Sequence, residues 1–184
     1  MIEARPYEDF SAKAVIDRLD PHDFMEAELT RGAPTSNLAL FADWRSMEPI
    51  RVASFVAYTA PYRGSLPFAI FGLVNTGQAG VAQAALLARN HAYFRRPLAE
   101  LGALIRRGMP VFAAERGIHR IEARAWAGHP TASGLLAGLG FAHECDMAGF
   151  GLTGAVTFRQ FAWVSPALLP DTIPADPIPS PERT

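Results

Sequence analysis

The stretch Arg120–Glu144, RIEARAWAGHPTASGLLAGLGFAHE, decides the fold of this chain. Its first seven residues alternate charged and apolar side chains, which is typical of a half-buried strand. A polar loop follows, in which Pro130 suits the first turn of a helix. The next apolar side chains recur at the spacing of one helix face: Ala132, Leu135, Leu136 and Leu139. Gly140 can end that helix, so the stretch predicts strand, loop, short helix and strand.

Working outward, a long helix is predicted before this unit, over residues 96–117. Leu98, Leu101, Ile105 and Phe112 form its apolar stripe, and Gly117 is suited to a left-handed cap. Pro110 removes a donor inside the helix, so we expect a kink or a split there. A strand, a crossover helix and a second strand favour parallel neighbours.

Three strands rich in β-branched and aromatic residues are predicted ahead of the long helix, over residues 51–58, 66–74 and 80–89. Turn-forming links containing glycine separate them, which indicates an antiparallel meander. The third strand is apolar on both faces, as expected of a central strand covered twice.

The N-terminal part reads as a short strand, a helix ending near Leu19, and a second helix from Asp20 to Gly32. Asp20 is a suitable N-cap, and Pro21 after it suits the first helical position, which needs no N–H donor. Residues 35–46 are predicted to be helical, with a strand as the alternative, because the spacing of Leu38, Phe41, Ala42 and Arg45 matches one helix face. Residues 155–164 form the last predicted strand.

Composition predicts one globular domain of residues 1–164 followed by a Pro-rich tail of residues 165–184. The 184 residues have a net charge of −1 and are 49% hydrophobic, so neither nucleic-acid binding nor a membrane span is indicated. We therefore expect a cytoplasmic protein. The single Cys145 reads as an inert buried thiol rather than a nucleophile. The histidines show no metal-binding motif, so no metal site is expected.

This element order and the unit ending in LGFAHE resemble the GNAT family of N-acetyltransferases, over about residues 2–164. The resemblance implies an α/β fold with a mixed central sheet of six or seven strands and helices on both faces. Within the family, the chain looks most like the divergent acetyltransferase-like proteins encoded among phage virion genes.

The resemblance implies an acetyl-CoA site where the third meander strand and the following parallel strand separate. The pantetheine would pair with Leu86, Leu87 and Ala88. The family's glycine-rich pyrophosphate loop corresponds to RNHAYFRRPLAEL, which contains no glycine. Arg95 and Arg96 either replace the lost donors with charged contacts to phosphate or begin a solvated helix. Tyr93 and Phe94 are predicted to be packing residues rather than platforms for the adenine ring.

For catalysis, Glu122 is the candidate general base, with Glu100 as a weaker second. Its alternation with Arg120 and Arg124 equally predicts a charge-paired strand face. His129 replaces an asparagine that often opens the short helix in the family, and is expected to cap that helix or to touch substrate. The family's tyrosine acid corresponds to Leu136, so that acid is absent.

Two functional hypotheses follow. The first is an acetyl-CoA-dependent N-acetyltransferase acting on a small-molecule or peptide amine. The second is a catalytically silent binding module of the same fold, located in a virion, with a protein partner bound through the Pro-rich tail. The missing glycines and tyrosine favour the second hypothesis, whereas the element order favours the first.

Overall fold

The computed structural model describes residues 2–59 and 64–166. The predicted Pro-rich tail falls almost wholly outside these residues. The described chain forms seven strands, five α-helices and a short 3-10 helix at Glu48–Ile50. The strands are β1 (Ile2–Pro6), β2 (Arg51–Thr59), β3 (Pro67–Asn75), β4 (Val81–Ala88), β5 (Arg120–Trp126), β6 (Ala142–Phe150) and β7 (Val156–Val164). The helices are α1 (Asp9–Ile16), α2 (Pro21–Arg31), α3 (Asn37–Ser46), α4 (Arg95–Glu115) and α5 (Ala132–Leu139).

All seven strands belong to one sheet with the order β1-β2-β3-β4-β5-β7-β6. β4 and β5 are parallel, and the other neighbours are antiparallel. The predicted meander and the parallel crossover are therefore confirmed. The α/β fold with a mixed sheet of seven strands is as expected from the sequence.

Helices cover both faces of the sheet because its strands present apolar residues to both sides. On one face, Val56 and Ile70 pack with α1 and α3. On the other face, Ile121 packs with α4 and α5, and Phe68 packs with the beginning of α4. A central, doubly covered sheet follows from this arrangement.

Local signals explain the helix boundaries. Asp20 caps α2 by accepting from the backbone N–H of His22, and Gly32 ends the same helix at a φ of 67°. Ser36 caps α3, which settles residues 37–46 as a helix. Gly140 adopts a φ of 94° after α5, a left-handed conformation that glycine adopts without strain.

Two expectations need correction. Of the kink or split expected at Pro110, the split does not occur, since α4 runs continuously from Arg95 to Glu115. Because proline has no N–H, the carbonyl of Arg106, four residues earlier, receives no helical hydrogen bond. Arg106 is exposed, so water can solvate that carbonyl. Cys145 is exposed rather than buried, because β6 lies at the edge of the sheet and most of its residues face solvent.

None of the helices in the described part of the chain has the length and apolar character needed to cross a bilayer.

Candidate functional site

The parallel strands β4 and β5 separate part of the way along the sheet. Their pairing covers Val81–Gln83 and Arg120–Glu122, but β4 continues to Ala88 and β5 continues to Trp126. Beyond the last pair the two backbones face an opening between them, here called the sheet opening. Unpaired strand edges have backbone donors and acceptors that a ligand or another segment can bind.

The three residues predicted to pair with pantetheine differ in how they face this opening. Arg89 donates its N–H to the carbonyl of Phe68 in β3, at 2.8 Å, so alternate residues of β4 bond toward β3. By this alternation Leu87 pairs with Ile70, whereas the backbone groups of Leu86 and Ala88 point away from β3. The edge of β4 that faces the opening is therefore formed by Leu86 and Ala88.

The backbone groups of Ala88 on this edge are bonded to residues at the beginning of α2. Asp23 accepts the N–H of Ala88 at 2.7 Å through Oδ2. Asp20 donates its own N–H to the Ala88 carbonyl at 2.9 Å, and its side chain accepts the N–H of His91 at 2.8 Å. We call Asp20 and Asp23 the carboxylate plug, because they occupy backbone positions that an extended ligand would otherwise pair with.

Glu26, one turn further along α2, bonds to the opposite side of the opening. Its Oε2 accepts the N–H of Trp126, the last residue of β5, at 3.0 Å. Burial raises the pKa of Glu26, and the nearby charge of Asp23 raises it further, against the bond from Trp126. A partly buried carboxyl with a raised pKa is suited to accept a proton near neutral pH.

A buried cluster of Asp23, His91 and His129 lies between the two strands. Asp23 Oδ1 is 3.0 Å from Nε2 of His129 and 3.1 Å from Nε2 of His91. Burial opposes ionisation of Asp23, but the bonds from His129, His91 and the Ala88 N–H hold its pKa below the ordinary value. Burial likewise opposes the charged form of His91, yet the bond to Asp23 and the charges of Asp23 and Asp20 raise its pKa.

His129 caps the short helix, as one of its two predicted roles requires. Its Nδ1 accepts the backbone N–H groups of Thr131 at 3.2 Å and Ala132 at 3.0 Å. Because Nδ1 is an acceptor, the proton of the neutral ring resides on Nε2, which donates to Asp23. His129 thus joins α5 to α2 across the opening.

The ligand atoms of Asp23, His91 and His129 lie within 4.8 Å of one another, close enough to hold a metal ion. Metal binding through Nε2 of His129 requires a proton on Nδ1, where two N–H groups already donate. The hydrogen bonds therefore fit a proton-bearing cluster better than a metal centre.

Glu122, the base predicted from sequence, lies in a different environment. Its Oε1 accepts from Nε of Arg120 at 2.8 Å, and Arg120 also binds Glu144 through Nη1 at 2.9 Å. This surface cluster of Arg120, Glu122 and Glu144 matches the charge-paired strand face that was the alternative to a catalytic role. Among the described residues, no hydrogen bond or ion pair joins Glu122 to His129.

Arg95 and Arg96 open α4, and both are exposed. Arg96 Nε lies 3.3 Å from Oε1 of Glu100, a surface ion pair. Phe94 is buried as predicted, but Tyr93 is 73% exposed, so its predicted packing role is wrong. Tyr93 projects into solvent because it lies in the turn before α4, outside the helix stripe.

Sequence reasoning did not identify Asp23, Glu26 and His91 as site residues. A signal was present, since Asp20, Asp23 and Glu26 recur every three residues and so share one face of α2. That face would ordinarily be apolar in a helix packed on a sheet. His91 had no comparable signal, because its side-chain partners Thr131, Asp23 and Asp20 lie between 40 and 71 residues away in the chain.

Comparisons with known proteins support the fold. No protein-family model matches the chain, and no curated protein matches it in sequence. Among solved structures, a GNAT-family acetyltransferase from Bacillus anthracis superposes with a TM-score of 0.64 at 12% identity, covering 89% of this chain and 95% of that chain.

Two further structures contain ligands. A Salmonella typhimurium protein assigned as an acetyltransferase, with its cofactor acetyl-CoA, has a TM-score of 0.64 at 13% identity and covers 93% of this chain and 98% of that one. Spermidine N-acetyltransferase from Vibrio cholerae, in complex with CoA and spermine, has a TM-score of 0.63 at 14% identity, covering 89% and 95%. The strand order, the sheet opening and these superpositions together show that this chain has the fold of the GNAT acetyltransferases.

Proposed function

We propose that this chain is an acyl-CoA-dependent N-acyltransferase that transfers an acetyl group to an amine. The observation that carries the proposal is the sheet opening, where β4 and β5 separate after Gln83 and Glu122 in a fold shared with acetyltransferases. Two of those similar structures hold acetyl-CoA or CoA. Acetyl-CoA is therefore the proposed co-substrate, and the acceptor is an amine of unassigned identity.

In this proposal the pantetheine arm of acetyl-CoA pairs with the backbone of Leu86. The N–H and carbonyl of Leu86 point to the same side as those of Ala88, which the carboxylate plug already binds. Of the three residues expected from the sequence to pair with the cofactor, only Leu86 therefore has free backbone groups on the side of the opening. Hydrogen bonds to Leu86 would place the thioester between β4 and β5. Residues of α2 bind both sides of the opening there, at Ala88 and at Trp126.

Glu26 is the proposed general base. Oε2 accepts from Trp126, and Oε1 has no hydrogen-bond partner among the described residues. In the reaction the amine nitrogen attacks the thioester carbon and loses a proton to Glu26. The C–S bond then breaks, and CoA leaves with the bonding electron pair as a thiolate that water protonates. Glu122 is the residue with which Glu26 is compared as a base, since Arg120 already forms an ion pair with Glu122.

The binding step is tested by calorimetric titration with acetyl-CoA of the wild-type protein and of two variants. Leu86→Pro removes the N–H that faces the opening and adds a ring there, but it leaves the donors to β3, which belong to the neighbouring residues. Leu86→Ala keeps that N–H and serves as the matched control for loss of the side chain.

We expect Leu86→Ala to retain binding and Leu86→Pro to weaken it about tenfold, since one hydrogen bond contributes about 1 kcal/mol and proline also hinders close approach. Circular dichroism and thermal unfolding would verify that both variants are folded. Folded wild-type protein that gives no heat at millimolar acetyl-CoA would refute the proposal. Release of the CoA thiol in a screen of amines then tests turnover.

A second candidate function is a catalytically silent binding module of the same fold. The specific observation in its favour is the carboxylate plug, which binds both backbone groups of Ala88 and the N–H of His91. The proposed resemblance to phage virion proteins, and a protein partner for the Pro-rich tail, belong with this candidate. The enzyme candidate instead implies a cytoplasmic location, and cell fractionation compares the two.

Hydrogen exchange of two amides separates the candidates. If acetyl-CoA pairs with Leu86 while the plug stays in place, exchange at Leu86 slows on binding and exchange at Ala88 is unchanged. A silent module would show no acetyl-CoA-dependent change at either amide.

A further inference from the structure

The long helix α4 carries apolar side chains on part of its solvent face. Leu104 and Val111 are 40% and 62% exposed, and Gly108 between them is exposed as well. Together with Arg107 they follow the spacing i, i+3, i+4 and i+7, so the four residues share one side of the helix. A helix packed on a sheet ordinarily presents polar residues to solvent. This side, here called the α4 stripe, is therefore suited to contact another segment.

The α4 stripe is turned away from helix α5. The contact with α5 lies on the other side of α4, where Arg106 donates from Nη1 to the carbonyl of Gly138 at 3.1 Å. Between these two sides, Ile105 packs in one cluster with Phe71 of β3. Phe71 stacks on Phe55 of β2 with 5.4 Å between the ring centroids, and both rings are only half-buried. Incompletely covered apolar surface therefore continues from the α4 stripe toward β2 and β3.

Arg107 gives the α4 stripe a positive charge. It is exposed, and no ion pair or hydrogen bond joins it to another of the described residues. The nearest acidic residues along the helix are Glu100 and Glu115, each four residues beyond an end of the stripe. A segment that combines apolar and acidic side chains would complement this surface.

The described part of the chain ends close to this helix. Ser165 donates its backbone N–H to the carbonyl of His119 at 2.9 Å, and His119 follows Glu115, the last residue of α4, by four residues. The segment after Pro166 therefore starts near the end of α4 at which Val111 lies. A segment attached so close to a surface has an effective concentration of about a millimolar, so a weak contact is enough to hold it there.

The sequence of residues 167–178, ALLPDTIPADPI, combines the required side chains. Leu169, Ile173 and Ile178 are apolar, and Asp171 and Asp176 lie between them.

The segment is also long enough. At about 3.1 Å per residue in a polyproline conformation, the seven residues from Pro166 to Ile173 span about 22 Å, more than the helix diameter of about 10 Å. The distance from Ile173 to Ile178 is about 15 Å on the same basis, whereas Leu104 and Val111 lie about 10 Å apart along the helix axis. The segment can therefore pass the end of α4 and cover the α4 stripe.

We propose that residues 167–178 dock on the α4 stripe of their own chain, as an intramolecular strap. The apolar side chains of the strap contact Leu104, Val111 and the Phe55–Phe71 pair, and its aspartates face Arg107. The strap fits better than a second copy of the chain, because it supplies the acidic groups that Arg107 lacks and is attached next to the stripe. The inference goes beyond the proposed function and does not rest on it, since neither the strap nor the stripe takes part in the proposed reaction.

The test measures proximity by paramagnetic relaxation in NMR spectra of the full chain. The exposed Cys145 is changed to Ser, and Thr172→Cys provides one attachment point for a nitroxide spin label within the strap. We expect selective broadening of the amide signals of residues 104–111, which disappears when the nitroxide is reduced. The amide spectrum also verifies that each variant is folded.

Charge reversal tests the contact between the strap and the stripe. Arg107→Glu should reduce the broadening several-fold, and the further changes Asp171→Lys and Asp176→Lys in the same chain should restore it. Arg95→Glu, another exposed change of charge on α4, is the matched control and should leave the broadening unchanged.

Mixing spin-labelled chains with nitrogen-15-labelled chains that have no spin label separates contacts within a chain from contacts between chains. Broadening at the α4 stripe in such a mixture would mean that the segment docks on a second copy, which overturns the intramolecular strap. The proposal is equally overturned if the label broadens no signal of the stripe, if it broadens a different surface instead, or if Arg107→Glu has no larger effect than Arg95→Glu.

Discussion

Two charged clusters flank β5, and each contains one residue that the sequence marked as a catalytic candidate. In the surface cluster, Arg120 of β5 binds both Glu122 of the same strand and Glu144 of β6, with β7 between the two strands. The buried cluster joins His129 to Asp23 and His91 across the sheet opening. Exposed ion pairs contribute little to stability, whereas a buried polar cluster is strongly destabilised when one member is removed. Burial therefore decides which of the two clusters the fold depends on.

The largest effect is expected at Asp23. Asp23→Ala leaves the Ala88 N–H and both imidazoles without their acceptor, so we expect a loss of about 3 kcal/mol in the free energy of unfolding. Urea denaturation measures it. The matched control is Asp146→Ala, which breaks the exposed contact with His143 at 2.8 Å and should change stability by less than about 1 kcal/mol. Equal losses in the two variants would remove the distinction between buried and exposed clusters.

The next largest effect concerns catalysis. Glu26→Gln keeps the bond to Trp126 but cannot accept a proton, so we expect kcat to fall about 100-fold with little change in affinity for acetyl-CoA. Glu122→Gln should lower kcat by less than about threefold. Initial rates of CoA release with any acceptor found in the screen provide the measurement. The reverse order of effects would assign the base to Glu122 in the surface cluster.

A smaller effect is expected from pH. The pKa of His91 is raised on folding, so its stabilisation is fully present below about pH 6.5 and is lost as pH rises through the folded-state pKa. The raised pKa of Glu26 acts in the same direction, beginning above its ordinary value of about 4.5. Asp23 contributes stability that is lost only as the solution becomes strongly acidic.

Unfolding free energies of wild type and His91→Gln at about pH 6 and about pH 8 test this expectation. The wild type should lose more of its unfolding free energy than the variant does between the two conditions. An identical pH dependence would mean that His91 is not charged in the folded protein.

The smallest effect is expected in the surface cluster. Glu144→Gln weakens the contact with Arg120, whose pKa that contact raises, but the pair is partly exposed to water. We expect a loss of less than about 1 kcal/mol that decreases further in molar salt. A loss comparable to that of Asp23→Ala would show that the two clusters are energetically alike.

Much of the site could not be read from the sequence, for reasons that specific residues illustrate. His129 was identified because it lies in the short loop before α5, and its capping bonds to Thr131 and Ala132 are local. Glu122 was chosen for its place on β5, but a period-two charge pattern cannot tell a catalytic carboxylate from an ion pair. Asp23 was missed because Ala88 and His129, which it contacts, lie 65 and 106 positions further along the chain and meet it only in the folded protein.

The sequence by itself determined the order of strands and helices, the caps of α2 and α5, and the parallel placement of β4 beside β5. These follow from apolar periodicity, capping residues and the handedness of crossovers, which act over short distances. The tertiary structure alone decided that α2 inserts its acidic face between the separated strands, and that Ala88 is bound while Leu86 faces the opening. Such contacts depend on how distant segments pack, because hydrogen bonds and charges between them exist only once the sheet and its helices are assembled.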